Sequence, residues 1–322
     1  MADAGSALRD FVAAEISAPA PAGAVQLAAA IRDRHGEAVA AVLFYGSCLR
    51  RRTSEGVLDF YVLVDDYRAC YGRGTLACLN ALLPPNVFHL EVSTPQGELA
   101  CKYAVLSLRD FARASGPSSI RPAVWARFCQ PSLAIWTRDE SARQAVQEGC
   151  VASIRTALVR TLPTLPDAGG RQQLRSGDFW PALFADTYAS ELRTENPRSI
   201  RGLYHAAPGR FDRALALGAE TLEAEGALTL HWEGAERIVE HPPRALARAR
   251  RLRRIRWPIA RALAIAQLLK SAMTFGDWVP YALWKLERHT GTRIELSERQ
   301  RRHPFLFAWP EIFRVLRSRA LR

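Results

Sequence analysis

The chain predicts a mixed α/β (α+β) fold, and three observations carry that expectation. The first half alternates short apolar strands with short helical segments. From Asp139 to about residue 218 the apolar period becomes helical, and the last third is arginine-rich and amphipathic. The implied organisation is a flexible N-terminus over 1–24, an α/β domain over 25–140 and a helical domain over 141–240. Basic amphipathic helices over 241–322 complete it. A length of 322 residues suits two domains.

In chain order, Met1 to Ala24 is rich in Ala and Pro and carries Asp3, Asp10 and Glu15. It lacks the basic region and apolar core of a signal peptide, and it is too acidic for a mitochondrial presequence. A helix is expected near Val25 to Arg34, then a buried strand over Ala41–Tyr45 and a turn at Gly46-Ser47. The strand Leu58 to Asp66 follows, then a helix over Leu76–Leu83 and strands at 87–92 and 99–106. Helices are expected over Ser141–Thr161, Trp180–Thr194 and Pro197–Gly218. Pro163, Pro166, Gly169 and Gly170 break the first two apart.

Eight arginines lie between Arg244 and Arg261, with Trp257 and the apolar stretch Ile259–Leu269 among and after them. That stretch is too short and too charged to cross a bilayer. It suits a helix lying in the interface, arginines toward anionic headgroups. Phe305 to Leu316 is a second such segment, and Gly276 to Gly291 reads as a packed helix with a glycine stop.

The chemistry concentrates around Gly46-Ser47 and the strand that starts twelve residues later. Gly46 lets the backbone approach a ligand without a side chain in the way. The Ser47 hydroxyl and nearby amides can donate to phosphate oxygens. Along the following strand Leu58, Phe60, Val62 and Val64 take one face, and Asp59, Tyr61, Leu63 and Asp65 the other. A carboxylate in this position can hold a hard cation. Phosphate grip plus metal holder is the minimum for nucleotidyl transfer, which is mostly positioning and charge neutralisation. Tyr61 stands where a second acid would serve, and Asp65 lies roughly 20 Å along the strand. Glu91, in Val87 to Val92, is the best local candidate for a second ligand, with Phe88, Leu90 and Val92 facing the core.

With 48% hydrophobic and 24% charged residues the composition is that of a folded protein, but the net charge of +12 favours anionic partners. Cys48, Cys70, Cys78, Cys101, Cys129 and Cys150 show no paired spacing, so reduced thiols and no zinc are expected. The histidines lack partner spacing and attract no catalytic role. The preference for arginine over lysine suggests a GC-rich bacterial genome.

Four segments in order sharpen the reading. Tyr45-Gly46-Ser47 with Leu58-Asp59-Phe60 resembles the mitochondrial-type (translocator assembly and maintenance) phosphatidate cytidylyltransferases. That family belongs to the DNA polymerase beta nucleotidyltransferase superfamily and also lacks the second acid. Lys102 to Ser107 resembles the family's Lys-Tyr-Gly-Val-Ile-Ser strand. Arg127 to Pro131 resembles its Gly-Arg-Leu-x-Lys-Pro element, with Gln130 at the lysine. Tyr188 to Arg193 resembles its Tyr-x-Gly-Asp-x-Arg segment, with Ser190 at the glycine and Glu191 at the aspartate. The likeness covers about residues 38 to 215.

It implies a polymerase-beta-like nucleotidyltransferase core and synthesis of CDP-diacylglycerol from CTP and phosphatidic acid, with Mg2+. Gly46 and Ser47 would bind CTP phosphates, and Asp59, with Glu91 as the candidate second ligand, the metal. Lys102 would neutralise the triphosphate or meet the lipid headgroup. Arg127, Tyr188, Glu191 and Arg193 would complete the nucleotide site. The partners are then CTP, phosphatidic acid and an anionic membrane surface. The protein would sit peripherally on the cytoplasmic face of a bacterial inner membrane, and no nucleic acid is expected. Alternatives are a nucleotidyltransferase acting on a small molecule, RNA or protein, and a degenerate nucleotide-binding scaffold.

Overall fold

The computed structural model describes residues 4–95, 97–166, 170–191, 196–234 and 236–274. The chain divides into two compact units, Met1–Leu268 and Leu269–Arg322. The expected segments 276–291 and 305–316 lie outside the described residues.

The elements are α1 (Ala4–Ile16), α2 (Ala22–His35), β1 (Val39–Tyr45), α3 (Ser47–Arg51), β2 (Val57–Val64), α4 (Tyr67–Tyr71) and α5 (Thr75–Leu82). Then come β3 (Asn86–Thr94), β4 (Gly97–Ser107), α6 (Leu108–Ser115), α7 (Trp125–Phe128) and β5 (Ser132–Thr137). The remainder is α8 (Glu140–Thr161), β6 (Arg171–Gln173), α9 (Ser176–Ser190), α10 (Pro197–His205), α11 (Pro208–Ala224), β7 (Thr229–Glu233), β8 (Glu236–Glu240) and α12 (Pro243–Thr274). The fold is mixed α/β: a five-stranded mixed sheet surrounded by many helices.

The main sheet runs β3-β4-β2-β1-β5, with β2 and β4 parallel and the other neighbours antiparallel. Both of its faces are covered, which is why the central strands read as nearly unbroken apolar runs. One face, with Val42, Phe44, Leu58, Phe60, Val62 and Val64, packs under Leu27, Ala28 and Ile31 of α2. The other, with Ala41, Leu43, Tyr61, Leu63 and Leu106, joins a larger cluster with Ile154 of α8, Trp180 of α9 and Phe211 of α11. The helical segment expected as a separate domain from residue 141 therefore shares a core with the sheet. Side-chain caps start four of the described helices: Asp66 on α4, Ser107 on α6, Asp139 on α8 and Asn196 on α10.

Three expectations are corrected. Within the N-terminal stretch expected to be flexible, Ala4–Ile16 forms a helix, and α2 starts at Ala22. α1 buries Leu8, Val12 and Ile16, spaced four apart on one helical face, and packs on α8 and α11. The helix expected over Pro197–Gly218 is two helices, parted at Ala206-Ala207 before Pro208. A second sheet, β6-β8-β7, was not foreseen. Its strands have five residues or fewer, and β7 is mostly exposed, so they carry no clear alternation.

Among the described residues no helix is long and apolar enough to cross a membrane. The α12 arginines sort by face. Arg250 donates to the Pro163 carbonyl at 3.0 Å, Arg253 pairs with Asp186, and Arg256 donates to the Pro117 carbonyl at 3.1 Å. Arg248, Arg251 and Arg254 are exposed, as are Ile255, Ile259 and Ile265.

Candidate functional site

One row across the sheet gathers the polar chemistry. Tyr45 pairs with Asp59, Asp59 with Lys102, and Lys102 with His89. Partners directly opposite in a ladder point to the same face, so sheet register alone sets the Lys102 ammonium beside the Asp59 carboxylate. Nζ lies 3.1 Å from Oδ1. The aspartate is largely buried and the lysine about one-third exposed, so the pair opens on one side to solvent.

Gly46 joins β1 to α3 as the helix's N-cap residue. Its φ of +92° is strained for other residues, and a Cβ built there would lie 2.7 Å from Asp59 Oδ2. Glycine is thus required both by backbone conformation and by the carboxylate packed against it. Ser47 follows, exposed, as the first residue of α3. The expected turn and the expected metal-holding aspartate are brought into contact.

One turn further along α3, Arg50 turns inward, a residue the sequence did not single out. Its Nη1 is 3.4 Å from Gln130 Oε1. Burial lowers its pKa, opposed by the nearby Tyr188 and Asp59. Gln130 is itself buried and donates through Nε2 to the Ala126 carbonyl at 2.6 Å. Where the resembled element has a lysine this chain has Gln130, and Arg50 brings a positive charge to the same place from another helix.

The wall opposite comes from α7 and α9. Arg127 grips Glu191 through both carboxylate oxygens, at 2.9 and 3.0 Å. Burial alone would lower the Arg127 pKa. The Glu191 carboxylate, with Tyr61 and Tyr45, outweighs it and holds the guanidinium well above its ordinary value. Arg121 lies near the same carboxylate; burial lowers its pKa against the pull of Tyr61 and Glu191. Tyr188 packs beside Phe184, ring centroids 6.4 Å apart. α9 ends at Ser190, and Glu191 is its C-cap residue. Arg193 lies outside the described residues.

Glu91 is not brought to Asp59. It sits two strands away on β3, opposite Ala100 and not Lys102, which puts the two Cα atoms on the order of 12 Å apart. Its carboxylate is mostly exposed and lies 3.8 Å from His89 Nδ1. The position of the missing second acid is closed as well. Tyr61 is 3% exposed, its ring 5.5 Å from Tyr45 and 5.1 Å from Phe128. Among the described residues no group of three or more His, Cys, Asp or Glu side chains could hold a metal ion. Beside the Gly46 turn, Asp59 offers a hard cation a single carboxylate, not a cage made by protein alone.

No protein-family model matches the chain, and no curated protein matches it. Among solved structures, one that matches is a nucleotidyltransferase-like protein from Exiguobacterium sibiricum. It is 9% identical, with 68% of this chain and 99% of that chain covered, at a TM-score of 0.28. A score that low carries no argument about fold or activity.

Proposed function

We propose that the chain is a magnesium-dependent nucleotidyltransferase that converts CTP and phosphatidic acid to CDP-diacylglycerol and pyrophosphate. The observation that carries the reading is the Asp59–Lys102 pair packed against Gly46, one carboxylate and one ammonium beside a glycine-serine turn. The order of the four resembling segments supplies the choice of CTP and phosphatidate.

In this reading Ser47 and the backbone around Gly46 take phosphate oxygens, and Asp59 holds the metal that accompanies the nucleotide. Magnesium would supply charge neutralisation on the triphosphate. Lys102 exchanges Asp59 for a phosphate oxygen once the nucleotide is seated, and Arg50 adds a second cation over the same strand end. A phosphatidate oxygen bonds to the alpha phosphorus of CTP. The bond from that phosphorus to its bridging oxygen breaks, and the electron pair leaves with pyrophosphate. Phosphatidate is already anionic near neutral pH, so no strong general base is needed.

A lipid acceptor is further supported by an apolar cavity of about 390 Å³. Leu82, Leu83, Leu106, Ile120, Val124 and Leu263 line it, with Arg121 in its wall. Arg121 lies in the electrostatic reach of Glu191 and Arg127, so the cavity adjoins the nucleotide wall and can take an acyl chain. The exposed arginines and isoleucines of α12 support peripheral contact with an anionic membrane, on the cytoplasmic face in a bacterium. A competing reading, a scaffold that has lost its chemistry, draws on the remoteness of Glu91 and the burial of Tyr61.

The test is labelled-lipid formation from CTP and phosphatidic acid in detergent with magnesium, beside ATP and an Asp59→Ala control. Labelled CDP-diacylglycerol from CTP is expected, with a loss on the order of a thousandfold in the variant. Activity near wild type in Asp59→Ala would remove the metal-site argument. No product with CTP still bound would move the assignment to another acceptor or to the scaffold.

A further inference from the structure

The sheet face that carries Asp59 continues past the Asp59–Lys102 pair to the edge of the sheet. His89 of β3 lies directly opposite Lys102. Partners so placed share a face, with Cβ atoms about 5 Å apart. The imidazole is partly exposed, and the Glu91 carboxylate lies 3.8 Å from its Nδ1, beyond hydrogen-bond reach. In the next row of the same face, Val87 stands opposite Ala104. Ala104 and then Leu106 follow Lys102 at the two-residue period of β4, which puts Leu106 about 13 Å from Lys102. Val87 is half-buried, and Ala104 offers only a methyl group. A two-stranded track thus leads from a polar end to an apolar one.

The apolar end is the cavity of about 390 Å³, which Leu106 lines together with Pro85, the residue just before β3. That volume lies within the range of about 300–1,000 Å³ in which small-molecule pockets fall. Leu82 and Ile120 also line it and are 83% and 41% exposed, so its mouth is apolar. The Asp110 carboxylate in the lining is answered: it pairs with Arg113 at 2.6 Å and accepts from the Tyr67 hydroxyl at 2.6 Å. Arg121 in the lining donates to the Pro84 carbonyl at 2.8 Å and lies in the electrostatic reach of Tyr61, two residues past Asp59. Lys102 and Arg121 bias the track toward an anionic head, and the lining suits a hydrocarbon tail.

We propose that this track seats a phosphate-headed lipid, its phosphate between Lys102 and His89 and one acyl chain passing Val87 and Ala104 into the Leu106 cavity. Calling that lipid the acceptor rests on the proposed function, but its binding needs neither CTP nor turnover. Lys102 then stands between two phosphates, the nucleotide's on the Asp59 side and the lipid's on the His89 side. His89 reads the head. Ala114 and Ala123, small side chains in the cavity lining, leave the room that the chain fills.

The probe is lauroyl lysophosphatidate, one chain on a phosphate monoester, titrated calorimetrically into the full chain without CTP or magnesium. Glycerol 3-phosphate supplies the head alone, and lauroyl lysophosphatidylcholine the chain under a zwitterionic head. Wild type should bind lysophosphatidate at least about tenfold tighter than either. Ala114→Phe and Ala123→Leu each fill the cavity from a half-buried position and should reduce that affinity to the level of glycerol 3-phosphate. His89→Ala, at the sheet edge, should weaken both phosphate ligands about tenfold and leave lysophosphatidylcholine unchanged. No binding of lysophosphatidate, equal binding of the two lysolipids, or wild-type affinity in either cavity variant or in His89→Ala would overturn the proposal. Labelled-lipid formation judges the proposed function separately. The expected binding pattern without CDP-lipid upholds the track and removes the cytidylyl transfer, whereas CDP-lipid formed with unchanged affinity in the variants does the reverse.

Discussion

Glu191 and Arg127 illustrate how much can rest on one side chain. Both are largely buried and meet through two charge-assisted hydrogen bonds, so removing one partner leaves the other charge without compensation. Glu191→Gln is expected to destabilise the protein by about 3 kcal/mol, measured by denaturant unfolding. His35 makes a different demand. Its ring contacts the Tyr103 hydroxyl at 3.1 Å and the Cys70 thiol at 3.3 Å, a Cys–His contact that residue spacing did not reveal. Burial first, then Arg34, lowers its pKa from 6.5 to about 4, and burial raises the Cys70 thiol to about 11. The pair is therefore neutral and not a thiolate–imidazolium nucleophile. Between pH 6.5 and 4 the unfolded chain takes up a proton at His35 that the folded chain does not, so stability falls with acidification across that window. The Tm of wild type should drop more steeply there than that of His35→Gln. Asp59 and Gly46 were legible because their chemistry is local to a turn and a strand. Arg50 was not, because nothing in its neighbours announces that α3 tips it over the sheet.

Among the strands, legibility followed burial. β1, β2 and β4 are buried on both faces and were found from their apolar runs alone. β7 and β8 were missed, because His231, Trp232, Glu233, Glu236 and Arg237 hide a two-residue period behind charge. α12 shows the limit of composition. Its eight arginines look alike in sequence, yet Arg250, Arg253 and Arg256 are tied to the body of the protein, while Arg248, Arg251 and Arg254 face outward. Replacing Arg248, Arg251 and Arg254 with Glu should therefore release the protein from anionic vesicles with little change in Tm. Vesicle binding unchanged in co-sedimentation would remove the interfacial role of α12.

In the molecule as a whole, the shared core is the feature that sequence segmentation concealed. A composition shift near residue 140 reads as a boundary, but Leu43 and Leu63 of the sheet lie in one cluster with Trp180 and Phe211 of the helical layer. Neither part can lose its packing without exposing the other's. Thermal or denaturant unfolding of the Met1–Leu268 unit is expected to be one cooperative transition, with tryptophan fluorescence and far-UV circular dichroism superimposable. Separate midpoints would show that the layers unfold independently.

The seat of α1 has a consequence for biosynthesis. Leu8, Val12 and Ile16 leave the ribosome early, but α8 and α11, which cover them, follow much later, the second ending at Ala224. At about 5–20 residues per second, roughly 200 residues of synthesis leave that greasy face waiting for about 10–40 s. The nascent chain therefore offers a chaperone-sized target for that interval, and α1 can take its seat only after α11 has emerged.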